Sequence, residues 1–144
     1  MERLSKLTEE LMLERFGVDR VIALVTTFEN VPYVRSVNAI YFDGSFYVLT
    51  HGMSRKMKHI EQNPMVAISV DWFTAHGKGI NMGYFGKPEN ENFASEMRVA
   101  FSSWIDNGHN DFDDVNTIIL RIKLTDGLLL CNGKRYDIDF SEQP

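Results

Sequence analysis

The chain has 144 residues, 44% hydrophobic and 24% charged, with 20 acidic against 15 basic side chains and a net charge of −5. These values fit one globular domain spanning 1–144 and argue against a general nucleic-acid binder, because an acidic molecule repels a polyanion. A single cysteine, Cys131, excludes an internal disulfide. With no apolar run of membrane-spanning length, the expectation is a cytoplasmic protein with neither a nucleic-acid nor a membrane partner.

In chain order, Leu4, Leu7, Leu11 and Phe16 recur at helical spacing among Glu9, Glu10 and Glu14, and Gly17 ends this first helix. Its polar, amphipathic start does not read as a signal peptide. Val21 to Thr27 is apolar and β-branched and predicts a buried strand, with Val31 and Pro32 in the loop that follows. Tyr33 to Phe42 and Ser45 to Thr50 flank Asp43-Gly44, a type I′ hairpin signal. A short helix then runs from Arg55 to Gln62, showing Met57 and Ile60 to the core, until Pro64 stops it. Met65 to Phe73 predicts a strand, Thr74 to Gly79 a turn on its two glycines, and Ile80 to Phe85 renewed β structure.

Phe93, Met97, Ala100, Phe101 and Trp104 form a helical stripe that Asn107-Gly108 stops, and this stripe reads as core packing. His109 to Asn116 is acidic and irregular. Thr117 to Leu124 and Leu128 to Asn132 flank an expected turn at Asp126-Gly127. Asn132-Gly133 makes one more turn before Tyr136 to Phe140, and Ser141 to Pro144 reads as a frayed end. Six to eight strands joined mainly by hairpins, without β-α-β alternation, predict a mainly β protein: an antiparallel barrel with flanking helices.

The chemistry concentrates between Thr50 and Lys56. Ser54 is expected to cap the short helix, which puts Arg55 and Lys56 in its first turn, where each cation opposes the helix dipole by roughly 0.3–1 kcal/mol. A multivalent anion on the exposed N–H groups resolves that conflict. In the hairpin register set by Phe42 facing Ser45, Val37 falls opposite Thr50 and Arg35 opposite Gly52. Arg35, Arg55, Lys56 and the Thr50 and Ser54 hydroxyls are therefore expected to converge on one phosphate.

Other chemistries find less support. His51, His59, His76 and His109 show no ligand spacing, so no metal site is assigned. Asp106, Asp111, Asp113 and Asp114 lack the spacing of a calcium loop. Cys131, in a Leu-rich strand, reads as a small buried hydrophobe.

The ordered segments Val34-Arg35-Ser36-Val37, Asp43-Gly44, Phe46-Tyr47-Val48-Leu49-Thr50, Ser54-Arg55-Lys56 and Asn63-Pro64-Met65-Val66-Ala67 resemble the pyridoxamine 5′-phosphate oxidase-like flavoproteins. The likeness is to the general-stress-protein and nitroimidazole-resistance branches of that superfamily. It implies a split β-barrel that binds FMN, usually as a homodimer with the cofactor at the subunit interface. On this resemblance Arg35 matches the phosphate-binding arginine, and Ser36, Val37 and Asn38 match the strand beneath the isoalloxazine ring. Leu49 and Thr50 match the end of the next strand, and Ser54, Arg55 and Lys56 the phosphate-side turn. Lys78 stands where the family often places a Gln near the flavin.

Ile40 stands where the oxidase proper has its substrate-phosphate lysine, and no basic segment like the oxidase's C-terminal one follows Phe140. The implied function is an FMN-dependent oxidoreductase other than a true pyridoxamine phosphate oxidase. The alternatives are a non-catalytic flavin-binding or sensing protein, or a deazaflavin-dependent reductase on the same scaffold. Trp72, Phe73, Tyr84 and Trp104 are candidates to wall a planar acceptor. No catalytic residue, electron donor or acceptor is named.

Overall fold

The computed structural model describes residues 1–141. The last residues of the expected frayed end, 142–144, lie outside the described residues. In chain order the elements are β1 (Glu2–Arg3), α1 (Lys6–Phe16), β2 (Arg20–Phe28), β3 (Val31–Phe42), β4 (Ser45–His51), α2 (Arg55–Gln62), β5 (Met65–Val70), β6 (Phe73–Tyr84), α3 (Glu91–Ala100), β7 (Thr117–Cys131) and β8 (Lys134–Asp139). Strands β7, β4, β3, β2, β5 and β6 pair in that order, and β6 returns to β7, which closes a six-stranded antiparallel barrel. Strand β8 extends the sheet from β7, and β1 pairs with it in parallel. Among the described residues no helix is long and apolar enough to cross a membrane.

Helix α1 starts on a capping box: Thr8 N–H donates to Ser5 Oγ at 3.2 Å while Ser5 N–H donates to Thr8 Oγ1 at 2.9 Å. Its fully buried residues are Thr8, Met12 and Phe16; of the expected stripe, Phe16 is in the core, Leu4 and Leu11 pack against it half-buried, and Leu7 faces solvent. Phe16 packs against Phe46 and Phe73 at ring-centroid distances of 5.9 and 5.5 Å, so the helix fills the barrel interior from one side. Met57 and Ile60 of α2 join the same core. A second core lies outside the barrel, where Met97 and Phe101 cover Ile40, Tyr47 and Ile119. The aromatic stripe is thus core packing, although α3 itself stops at Ala100 and the chain continues in turns to Asn107.

Among the described residues, four two-residue turns have both central φ values positive, the geometry whose twist matches antiparallel strands. They are Glu29-Asn30 (51° and 65°), Asp43-Gly44 (51° and 77°), Asp71-Trp72 (41° and 63°) and Asn132-Gly133 (52° and 75°). The first corrects the expected loop at Val31 and Pro32. Both belong to β3, and proline is tolerated at Pro32 because, among the described residues, β3 has no partner there on its other edge. Strand β2 is half-buried rather than buried: Ile22, Leu24 and Thr26 face inward, while Val21 is 60% exposed.

The expected turns at Thr74 to Gly79 and at Asp126-Gly127 are both interior strand. Residues 73–78 pair with β5, and β7 runs unbroken through Gly127. These glycines serve close approach. A β-carbon on Gly127 would stand 2.7–3.0 Å from the Phe73 and Phe140 rings, and one on Gly77 would meet the Lys123 carbonyl at 2.8 Å.

Candidate functional site

Side chains on β3 alternate between faces, so Arg35 and Val37 share the interior side with Ala39 and Tyr41, while Ser36 and Asn38 face outward. Arg35 is half-buried and makes three hydrogen bonds, all from Nη1. It donates to Thr26 Oγ1 at 2.9 Å, Leu24 O at 3.2 Å and Tyr33 O at 3.3 Å. Leu24 is its direct partner across the β2–β3 ladder, and Thr26 is the diagonal neighbour. Thr26 in turn lies 2.9 Å from Nδ1 of His59, a buried residue of α2. The His59 ring stacks on Phe28 with centroids 5.2 Å apart and contacts Tyr33 at 4.8 Å. Arg55 reaches over the opposite end of this group, its guanidinium carbon 5.9 Å from the Tyr33 ring centre.

This is not the route expected from the hairpin. Phe42 does face Ser45, but the β3–β4 ladder ends at Ile40 and Tyr47, so Val37 does not pair with Thr50 nor Arg35 with Gly52. The strands part because each has a better partner. Strand β3 pairs with β2 from Val31 to Ala39, and β4 pairs with β7 from Ser45 to His51. Arg35 still arrives beside α2, by way of β2.

The head of α2 is an unfinished helix terminus. Ser54 has the extended backbone of an N-cap, yet its side chain makes no capping bond, which corrects the sequence expectation. Its Oγ is buried and is the one buried side-chain polar atom among the described residues without a partner. The first helical N–H groups lack intrahelical acceptors by construction. Arg55 and Lys56 follow, and the first turn holds no acidic residue.

Burial, then the charge of Arg55, pulls the Arg35 pKa below its ordinary value. Burial, then Arg35, does the same to Lys56. Among the described residues none of the three cations has a carboxylate partner. Mutually repelling, partly desolvated cations beside free N–H groups form a site complementary to an anion.

The remaining candidates are dispersed. Thr50 is half-buried on the interior side opposite Ile118, whereas Leu49 turns outward into the core beneath α3. Ser36 is exposed. Asn38 donates to Asp19 Oδ1 at 3.0 Å, and Asp19 also accepts from Trp104 Nε1 at 2.8 Å. Lys78 is exposed on the outer face of β6, opposite Met65 and Lys123. The four aromatics proposed as an acceptor wall do not form one: Phe73 lies inside the barrel, Trp104 in the turns after α3 against Phe101, Trp72 at a turn tip, and Tyr84 donates to Phe112 O.

No family model and no curated protein matches the chain. Solved structures do. A candidate pyridoxamine 5′-phosphate oxidase from Listeria innocua is 12% identical with a TM-score of 0.61, covering 87% of this chain and 95% of that one. The general stress protein 26 of Bacillus anthracis is 17% identical at a TM-score of 0.65, covering 90% and 97%. An FAD-binding protein from Mesorhizobium loti is 16% identical, also at 0.65, covering 86% and 92%. The fold is the pyridoxamine 5′-phosphate oxidase-like split barrel.

In this split barrel the opening lies between β3 and β4. Below Ile40 the β3 edge facing β4 has no strand partner among the described residues, so alternate residues of 31–39 present backbone N–H and C=O groups to that opening. The cation cluster stands at the α2 end of the same strand. Thr26, His59, Phe28 and Tyr33 were missed in the sequence. Each is an ordinary strand or helix residue; the Glu29-Asn30 turn brings Thr26 opposite Tyr33, and the packing of α2 on β2 brings His59 to both.

Proposed function

We propose that the chain is an FMN-binding flavoprotein, an oxidoreductase that works as a homodimer. The observation carrying this reading is the cluster of Arg35, Arg55 and Lys56 at the head of α2, where the buried Ser54 hydroxyl is orphaned and where, among the described residues, no carboxylate pairs with a cation. A terminal phosphate monoester supplies what this cluster lacks. Arg35 meets it through Nε and Nη2, Ser54 through its hydroxyl, the α2 N–H groups along the helix axis, and Lys56 as a charge.

The open β3 edge at Ser36, Val37 and Asn38, with Leu49 and Thr50 on β4, gives a ring system backbone partners in the opening. Bound flavin supplies hydride and electron transfer, while these residues hold and orient it. Lys78 stays a candidate for the ring side only, since it lies on the outer face of β6. The likeness in fold to an FAD-binding protein also supports a flavin.

Support for the homodimer comes from the uncovered outer sheet face. Val21 and Val34 are 60% and 69% exposed there, beside a concavity of about 440 Å³ lined by Ala23, Val25, Ala67, Ser69, Thr74 and His76.

The test is the visible spectrum of the purified protein, followed by titration with FMN, FAD and riboflavin and by NAD(P)H. Tight FMN binding, weaker riboflavin, and bleaching of the flavin band with turnover are expected. A colourless protein indifferent to added FMN defeats the reading, and a redox-inert yellow one removes the oxidoreductase.

A further inference from the structure

We infer that Thr26 and His59 are positioning residues for Arg35, tying one guanidinium nitrogen to the barrel so that the others are kept for the oxyanion at the head of α2. The identity of that oxyanion is taken from the FMN reading above. Three acceptors, Thr26 Oγ1, Leu24 O and Tyr33 O, converge on the single nitrogen Nη1, within 2.9–3.3 Å. Nε and Nη2 retain their three N–H donors.

The hydroxyl of Thr26 fixes the direction of the relay. It accepts from Arg35, so its one proton is left for His59 Nδ1 at 2.9 Å. His59 is then a neutral imidazole with its proton on Nε2. A charged His59 would instead present Nδ1–H to Thr26, leave the hydroxyl proton without an acceptor and add a further cation beside Arg35 and Arg55. Phe28 and Tyr33 hold the ring in place. The low proton affinity of His59, from burial and the charges of Arg35 and Arg55, agrees with this assignment.

The experiment is titration of FMN and riboflavin into wild type, Thr26→Val, Thr26→Ser, Arg35→Ala and the Thr26→Val/Arg35→Ala double variant. Thr26→Val should weaken FMN about tenfold more than riboflavin, the effect of one hydrogen bond to a charged group. Thr26→Ser should restore most of that loss, and Thr26→Val should add nothing once Arg35 is gone. Equal loss for both ligands, no rescue by serine, or the same cost in the Arg35→Ala background overturns the relay while leaving FMN binding intact. A wild type that binds no FMN removes both readings. Nitrogen NMR of wild-type His59 decides the case if Thr26→Val does not fold: an acceptor Nδ1 at neutral pH upholds the relay, and a protonated Nδ1 overturns it.

Discussion

Gly79 of β6 lies so close to Ile60 of α2 that a β-carbon at 79 would stand 2.9, 3.0 and 3.2 Å from three Ile60 side-chain carbons. The neighbouring backbone is also fixed, because Gly79 N–H donates to Pro64 O at 2.8 Å. This contact seats the helix whose first turn carries Ser54, Arg55 and Lys56. Gly79→Ala must move Ile60, whose β-branch leaves it few rotamers, and so lift α2 from the barrel. A loss of about 1–3 kcal/mol in urea unfolding is expected. Weaker FMN binding should accompany it, and unchanged affinity would show that α2 is not the seat of the ligand.

Arg35→Ala removes the one cation of the cluster that is anchored on a barrel strand. FMN should bind more weakly by about 1.5–3 kcal/mol, roughly 10- to 150-fold, with a much smaller effect on riboflavin. Fluorescence titration of both ligands checks this, and equal losses would place Arg35 away from the phosphate.

Ser54→Ala separates stability from binding. A buried hydroxyl without a partner is destabilising, so its removal should raise the stability of the ligand-free protein by about 1 kcal/mol. The same change should lower FMN affinity about tenfold. Denaturation without ligand and titration with it give the two readings; a loss of stability would mean that the hydroxyl has a partner in the free protein.

His59 makes stability depend on pH in a predictable sense. Its folded pKa is depressed below the ordinary 6.5 by burial, Arg35 and Arg55, so the unfolded chain binds more protons between the folded value and 6.5. Stability therefore rises with pH through that window and falls on acidification below 6.5, levelling off under the folded pKa. The groups facing His59 are Thr26 and Phe28 from β2, Tyr33 and Arg35 from β3, and Arg55 from its own helix. Urea unfolding across mildly acidic pH should show this slope in wild type and a flatter one in His59→Gln. Identical slopes would exclude His59 as the source.

Much of the fold was legible where a local rule and the tertiary structure agree. The helix at 55–62 stood at its observed bounds because Pro64 stops it and Met57 and Ile60 mark its inner face. Asp43-Gly44 and Asn132-Gly133 announced their turns because glycine takes a positive φ without strain. Glu29-Asn30 and Asp71-Trp72 make the same turn without glycine and gave no such signal. The second is held from outside, since Arg15 donates to Asp71 O and Leu130 N–H donates to Trp72 O.

By itself the sequence determined the strand-rich barrel and the basic first turn of α2, both consequences of periodicity, breakers and charge within a few residues. Only the tertiary structure decided how Arg35 arrives. Strand β4 gives its edge to β7, the barrel opens below Ile40, and Arg35 turns to Thr26 and His59 instead of to Gly52. Pairing between distant strands is a competition among partners, and a hairpin turn fixes its register only as far as neither strand has a better neighbour. Whether a glycine serves a turn or makes room for Ile60 or Phe73 was settled in the same way, by what the folded chain brings against it.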